Sequence, residues 1–420
     1  MHWIRSTALI FALSLLSILG YLAWQHVPAP LPAQWNQQEL ALLESLSLQN
    51  LPPLPDDPGN AVADDPDAAE FGHHLFFDTR LSADGSVSCA KCHQPEHHFT
   101  DQLPVGVGVA AGDRNTMSLV GAAYSPWLFW DGRKDSLWAQ ALEPLENPLE
   151  HGFERSEIAA LIKSDKDYQQ RYAQVFGPLP DQHSTDQIFA NVGKALSAYQ
   201  RHLLPGPTRF DDYVASLDDS GDLTPGVTTG DAMTNEELAG LRLFIDKAEC
   251  VDCHNGPLFT NNSFHNTAIL SAPGMLPALG RAEGLRRAQA DPFNCLGRFS
   301  DADPGDCAEL RFARGGDEMI GAQRTGSLRD LSKTAPYMHA GQMTNLAEVI
   351  EHYNKAELSM IGHNEAKPLG LRAVEKKQLE SFLRTLNGPM ATAPHWLKPP
   401  ATLPPHAVLM STTDNRREQK

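Results

Sequence analysis

Two copies of a five-residue motif, Cys89-Ala-Lys-Cys92-His93 and Cys250-Val-Asp-Cys253-His254, constrain this chain more than any other feature. A zinc site needs four ligands, so six donors fill one site and leave two over. A thioredoxin-like dithiol needs no histidine after the second cysteine and follows a strand of a βαβ unit. Covalent haem uses every residue of the motif: two thiols one helical turn apart add to the two vinyl groups, and the adjacent histidine ligates the iron. The motif therefore predicts two covalently bound c-type haems, held by Cys89, Cys92 and His93 and by Cys250, Cys253 and His254.

Such attachment happens outside the cytoplasm, and the N-terminus agrees. Arg5 precedes an uncharged, mostly apolar run from Ser6 to Trp24, so residues 1–26 read as a signal peptide or membrane anchor. The cleavage candidates are poor. Val27-Pro28-Ala29 is followed by Pro30, and Leu31-Pro32-Ala33 lacks the usual small residue, which tilts the reading towards an inner-membrane anchor over residues 6–24 with Arg5 on the cytoplasmic side. The expected location is the periplasm. There the two remaining cysteines, Cys295 and Cys307, are expected to pair across a short loop, stabilising by roughly 3 kcal/mol. A formal net charge of -18, from 34 basic and 52 acidic residues, argues against a nucleic-acid partner.

The rest of the chain is helical in pattern. Spacing predicts helices at 37–48, 135–143, 156–176, 186–203 and 373–387, one running from the capping box Thr234-x-x-Glu237 into Cys250, and one starting near Asn345 that carries Tyr353. The proline-broken stretch "LPPLPDDPGNAVADDPD" reads as a wrap, and "DDSGDLTPGVTTGDAM" as a connector. No run of alternating strands stands out. The expected fold class is mainly α, with two cytochrome-c-like haem domains packed against each other. The expected divisions are a linker and wrap (27–67), a first domain (68–217), a connector (218–233), a second domain (234–390) and a polar tail (391–420).

The blocks "LFFDTRLSADGSVSCAKCHQP", "LPVGVGV", "RNTMSLVGAAY", "LFWDGR" and "APYMHAGQMTNLAEVIEHYN" resemble, in order, the bacterial di-haem cytochrome c peroxidase and MauG family over about residues 68–388. The resemblance implies reaction of hydrogen peroxide at one haem, with a calcium ion between the domains. The reductant would be a small periplasmic electron-donor protein, a cytochrome c or cupredoxin, unless the oxidising equivalents go to an unknown substrate. A non-enzymatic di-haem electron-transfer cytochrome is the alternative.

Family peroxidases place a distal histidine after the "LPVxVG" pattern, where this chain has Val109, Ala110 and Ala111, so the first haem is expected to keep an open position. His97 and His98 are rival ligands, read as surface residues. The resemblance makes Glu150 the general acid/base, with Gln140 positioning peroxide or water and Pro144 shaping the pocket. It makes Trp130 an electron relay between the haems and Asn115, Thr334 and Pro336 calcium ligands. Tyr353 falls where relatives with a high-potential second haem carry methionine and MauG carries tyrosine, so it is the expected sixth ligand of the second iron, with Met338, Met343 and Met360 as competitors. Ala248 stands where MauG has a tryptophan, and Gly326 and Asp330 also depart from the usual proline and asparagine, so MauG's specific reaction is not carried over.

Overall fold

The computed structural model describes residues 14–20, 22–28, 34–179, 184–223, 232–269, 276–403 and 407. The first part of the expected anchor, the middle of the connector and the end of the tail lie outside these residues. In chain order the longer helices are α1 (Gln37–Leu46), α2 (Pro66–Phe77), α3 (Leu137–Glu146), α4 (Arg155–Ser164), α5 (Lys166–Phe176), α6 (Thr185–Gln200), α7 (Arg209–Ala215), α8 (Asn235–Ile245), α9 (Arg281–Ala290), α10 (Leu346–Lys355) and α11 (Ala373–Arg384). A two-residue antiparallel pair, β1 (Phe264–His265) and β2 (Gln323–Arg324), is the one sheet among the described residues. The protein is mainly helical, as its sequence suggests.

Side-chain caps place several boundaries. Asn36 and Thr234 each close a capping box with the glutamate three residues on, and Asn345 accepts from the backbone of Glu348. The single helix expected over 156–176 is two, because the Asp165 carboxylate takes the amides of Asp167 and Tyr168 and restarts the chain as α5. Helix α2 escapes the pattern reading for a different reason. Nine of its residues are buried, around the whole circumference, which erases the 3.6-residue period of a half-exposed helix.

Two hydrophobic cores organise these elements, each around a close helix crossing. In the first, α2 crosses α6 so tightly that a Cβ at Gly72 would lie 1.9 Å from the Ala195 carbonyl oxygen. In the second, α8 crosses α11, and a Cβ at Gly240 would lie 1.9 Å from the Gln378 carbonyl oxygen. Both glycines open the same short string, Gly72-x-x-Leu75-Phe76 and Gly240-x-x-Leu243-Phe244, on the helix that leads to a C-x-x-C-H turn.

The cores do not follow the order of the chain. Trp35, Leu43 and Leu46, from the expected wrap, and Phe210, Tyr213 and Val214, expected in the first domain, all pack in the second core. In exchange, Phe299, from the loop closed by the Cys295–Cys307 disulfide, and Phe293, just before it, pack in the first core. The expected polar tail is also structured as far as residue 403: Trp396 and Leu403 are buried in the first core, since enough apolar surface lies among its polar residues to hold it there.

Near the N-terminus, residues 14–20 and 22–24 are helical. No described helix is long and apolar enough to cross a membrane. Gln25 caps α11 instead: its side-chain oxygen accepts from Ala373 N at 2.9 Å and its carbonyl from Val374 N at 3.2 Å.

Candidate functional site

The two C-x-x-C-H segments fold alike. Each is a single tight turn in which the histidine N–H donates to the first cysteine's carbonyl at 2.9 Å, His93 to Cys89 and His254 to Cys250. The imidazoles are fixed alike as well. His93 Nδ1 donates to the Phe99 carbonyl and His254 Nδ1 to the Phe259 carbonyl, both at 3.0 Å. A carbonyl only accepts, so Nδ1 carries the hydrogen and Nε2 keeps its lone pair for a metal. Phe99 and Phe259 are both fully buried and both hold a positive φ, 59° and 52°, an uncommon state for a bulky residue that the surrounding core must enforce. The sequence reading missed this pair, because the work is done by backbone. The available signal is the shared Phe-Thr that follows each motif, at 99–100 and 259–260.

The cysteines are unpaired thiols, and burial pushes Cys89, Cys92 and Cys250 up to about 12. Redox dithiols require the opposite shift. Among the described residues no three His, Cys, Asp or Glu side chains converge on a metal position.

A cavity of about 290 Å³ opens beside the first motif. It is lined by Cys92, His93, Trp130, Gln140, Pro144 and Glu150, and also by Asn115, Thr334 and Pro336. The structure thus brings to one space every residue proposed for catalysis and for calcium. Glu150 stands where the chain turns back after α3. Burial raises its carboxyl above the ordinary value, Arg133 opposes that shift, and Asn147 Nδ2 donates to its Oε1 at 2.7 Å. The loop where a distal histidine would stand is tied to the same segment, with Val109 N donating to the Glu150 carbonyl at 2.8 Å and Ala110 N to that of Leu149 at 3.0 Å. No side chain of Val109, Ala110 or Ala111 has an atom able to ligate iron.

Trp130 is anchored from both halves of the chain. Its indole N–H donates to the Asn115 carbonyl at 3.0 Å, and its own carbonyl accepts from Arg324 N of β2 at 2.7 Å. Asn115 N in turn donates to the His339 carbonyl at 3.0 Å, and its side-chain nitrogen to the Leu103 carbonyl. His98, expected at the surface, is buried, with Nδ1 3.4 Å from the Asp330 carboxylate but without a hydrogen bond to it.

Tyr353 lies apart from this cavity, on α10 with the second motif. Burial raises its phenol above the ordinary tyrosine value, Thr267 hydrogen-bonds to it, and it is near enough to Cys250 and Cys253 for their charges to act on it. Its competitors are placed elsewhere: Met338 lines the first cavity, Met343 is bridged to Tyr337, and Met360 is 72% exposed. Ala248 is buried in the second core.

One buried charge tests whether haem fits here. Arg324 borders the cavity with no carboxylate partner among the described residues. Burial lowers its pKa to about 10, its Nη1 meets only Ser125 and Asn262 at 3.1 Å, and its Nε has no partner. A buried guanidinium without an anion is costly. The propionates of a haem would supply such an anion, so the thiols, the histidine and the orphaned guanidinium are residues that fit this group.

Comparison with known proteins agrees with this geometry. A family model described as di-haem cytochrome c peroxidase matches residues 66–219. The chain is 33% identical to the cytochrome-c peroxidase IdrP1 of Denitromonas iodatirespirans, across 80% of this chain and 85% of that one. It is 32% identical to the methylamine utilization protein MauG of Methylorubrum extorquens, across 84% and 87%. A crystal structure of a MauG-like protein associated with microbial copper homeostasis superposes with a TM-score of 0.59 at 28% identity, covering 84% of this chain and 98% of that one. With identity of this order sustained over most of its length, the chain belongs to the di-haem cytochrome c peroxidase family, whose members carry two c-type haems and act on hydrogen peroxide.

Proposed function

We propose that this peroxidase works in the periplasm and that its first site, at Cys89, Cys92 and His93, is where peroxide reacts. The observation that carries the reading is Glu150: a carboxyl with a raised pKa bordering the same cavity as His93, beside Val109, Ala110 and Ala111, which offer no side-chain ligand. Haem iron supplies the redox centre that takes up the oxidising equivalents of peroxide. Glu150, as carboxylate, accepts a proton from the near peroxide oxygen and returns it to the far one, so that water leaves. Gln140 orients peroxide or water from α3, and Pro144, inside that helix, shapes the same wall. Trp130, tied to both halves, couples the two haems.

Asn115, Thr334 and Pro336 supply oxygens suited to calcium on the wall beside Trp130. Tyr353, buried near Cys250 and Cys253, would hold the second iron, giving two cytochrome-c-like domains with unlike haems. Electrons come from a small redox protein, or the oxidising equivalents go to a separate substrate. Electron paramagnetic resonance of the ferric protein is the test. A high-spin signal together with peroxide consumption in stopped flow is expected. Two low-spin signals and no reaction with peroxide would instead fit the electron carrier.

A further inference from the structure

The C-terminal segment brings an aromatic stack to the first core. His73 and Tyr199 stack at 5.1 Å with 18° between their planes. Trp396 meets His73 edge-on at 5.1 Å and Tyr199 at 5.8 Å. His202 stacks on Trp396 at 4.6 Å, His395 lies 4.4 Å from it, and both histidines are exposed. At the inner end Tyr199 is fully buried and near enough to Cys89 for that sulfur's charge to act on its phenol. At the outer end Trp396 is 7% exposed. A continuous set of rings therefore leads from a thioether-forming cysteine of the first site to the surface.

We propose that Trp396 is a one-electron oxidation site, reached from the first haem site across the Tyr199 ring, at which a small aromatic reductant delivers electrons between His202 and His395. The proposal rests on the reading that peroxide is consumed at the first site. Tyr199 is the bridge and not the stopping point. Its hydroxyl donates at 2.7 Å to the Trp396 carbonyl, which cannot take its proton, and burial holds the phenol well above its ordinary pKa. An indole needs no proton loss to give up an electron. Burial lowers His73 to about 4 and lowers His202 as well, so near neutral pH neither ring sets a positive charge against an indole radical cation.

In each step Trp396 gives one electron to an oxidising equivalent left by peroxide. A hydroquinone then restores the indole by giving one electron and releasing one proton to water. Two such steps, with two protons, carry one hydrogen peroxide to two water molecules.

The test exposes the holoprotein to peroxide without a reductant and maps oxygen adducts by peptide mass spectrometry. Adducts are expected at Trp396 and not at Trp24, which is 50% exposed, or Trp127, which is 5% exposed and outside the stack. The adduct should disappear from this peptide in Trp396→Phe, persist in Tyr199→Phe, fall in Tyr199→Leu, and be suppressed when hydroquinone is present. Every variant should still react with a first equivalent of peroxide, while hydroquinone-supported turnover should fall in Trp396→Phe and Tyr199→Leu. Adducts as frequent at Trp24 as at Trp396 would point to a diffusing oxidant and overturn the route, as would an adduct indifferent to hydroquinone. A protein that consumes no peroxide would overturn the assignment of the first site and this route with it; consumption without Trp396 adducts overturns the route alone.

Discussion

At the scale of single residues, Glu150 carries the strongest expectation. Replacing Glu150 by Gln keeps its size and removes its proton transfer, so peroxide turnover should drop by about 10²–10⁴, while both haems remain attached by mass spectrometry. The pH dependence follows from the sign of the shift. Burial raises the pKa above 4.5, and the carboxylate is the form that first accepts a proton. Turnover should therefore decline as pH falls, beginning above the range of an exposed glutamate, and this limb should be missing in Glu150→Gln. Tyr353→Met tests the second site: methionine ligation raises a haem's potential, so a spectroelectrochemical titration should show one of two midpoints moving upward. An unchanged pair of midpoints would remove Tyr353 from the iron. Residues that act through side chains at fixed spacing, the cysteines and histidines of both motifs, were legible in the sequence. Phe99 and Phe259 were not, because what they contribute is a carbonyl that any residue possesses.

At the scale of elements, two crossings hold the cores together. Gly72→Ala sets two effects against each other. Alanine favours helix α2 by about 1 kcal/mol, but its methyl would lie 1.9 Å from the Ala195 carbonyl oxygen, a backbone atom that cannot turn aside. Forcing α2 away from α6 costs about 1–3 kcal/mol or more, so packing should win and the thermal midpoint, followed by circular dichroism, should fall. Helices with a wet face, such as α10 and α11, announced themselves by period, and so did α6, which is buried nearly all round but carries polar residues at Asn191, Lys194, Ser197 and Gln200. Helix α2, buried all round from Phe71 to Phe77 with two histidines among its apolar residues, did not, and neither did the break before α5, which depends on which way the Asp165 side chain turns.

At the scale of the whole molecule, the loop between Cys295 and Cys307 belongs to the second half of the sequence but ties onto the first core. Within the loop Phe299 stacks with Phe293 and Asp301 pairs with Lys194 at 2.7 Å, and just before it Phe293 meets Phe189 edge-on and Asp291 pairs with Lys134. Converting both cysteines to serine should cost about 2–4 kcal/mol, read as an earlier unfolding transition in denaturant, with the first site loosening before the second in a haem-absorbance trace. The pairing of these cysteines was readable from compartment and count. Which core each apolar segment would join was not, because hydrophobic pattern marks a face as buried without naming what it is buried against.

The exchange of segments between cores bears on how such a chain could be divided or inherited. A cut in the connector would leave one fragment carrying Trp35, α1 and α7 with no core to receive them, and the other carrying Phe293 and Phe299 in the same state. Neither half is a self-sufficient cytochrome, so a gene encoding one of them should yield aggregating protein, and the two haem sites travel through recombination as a single heritable piece.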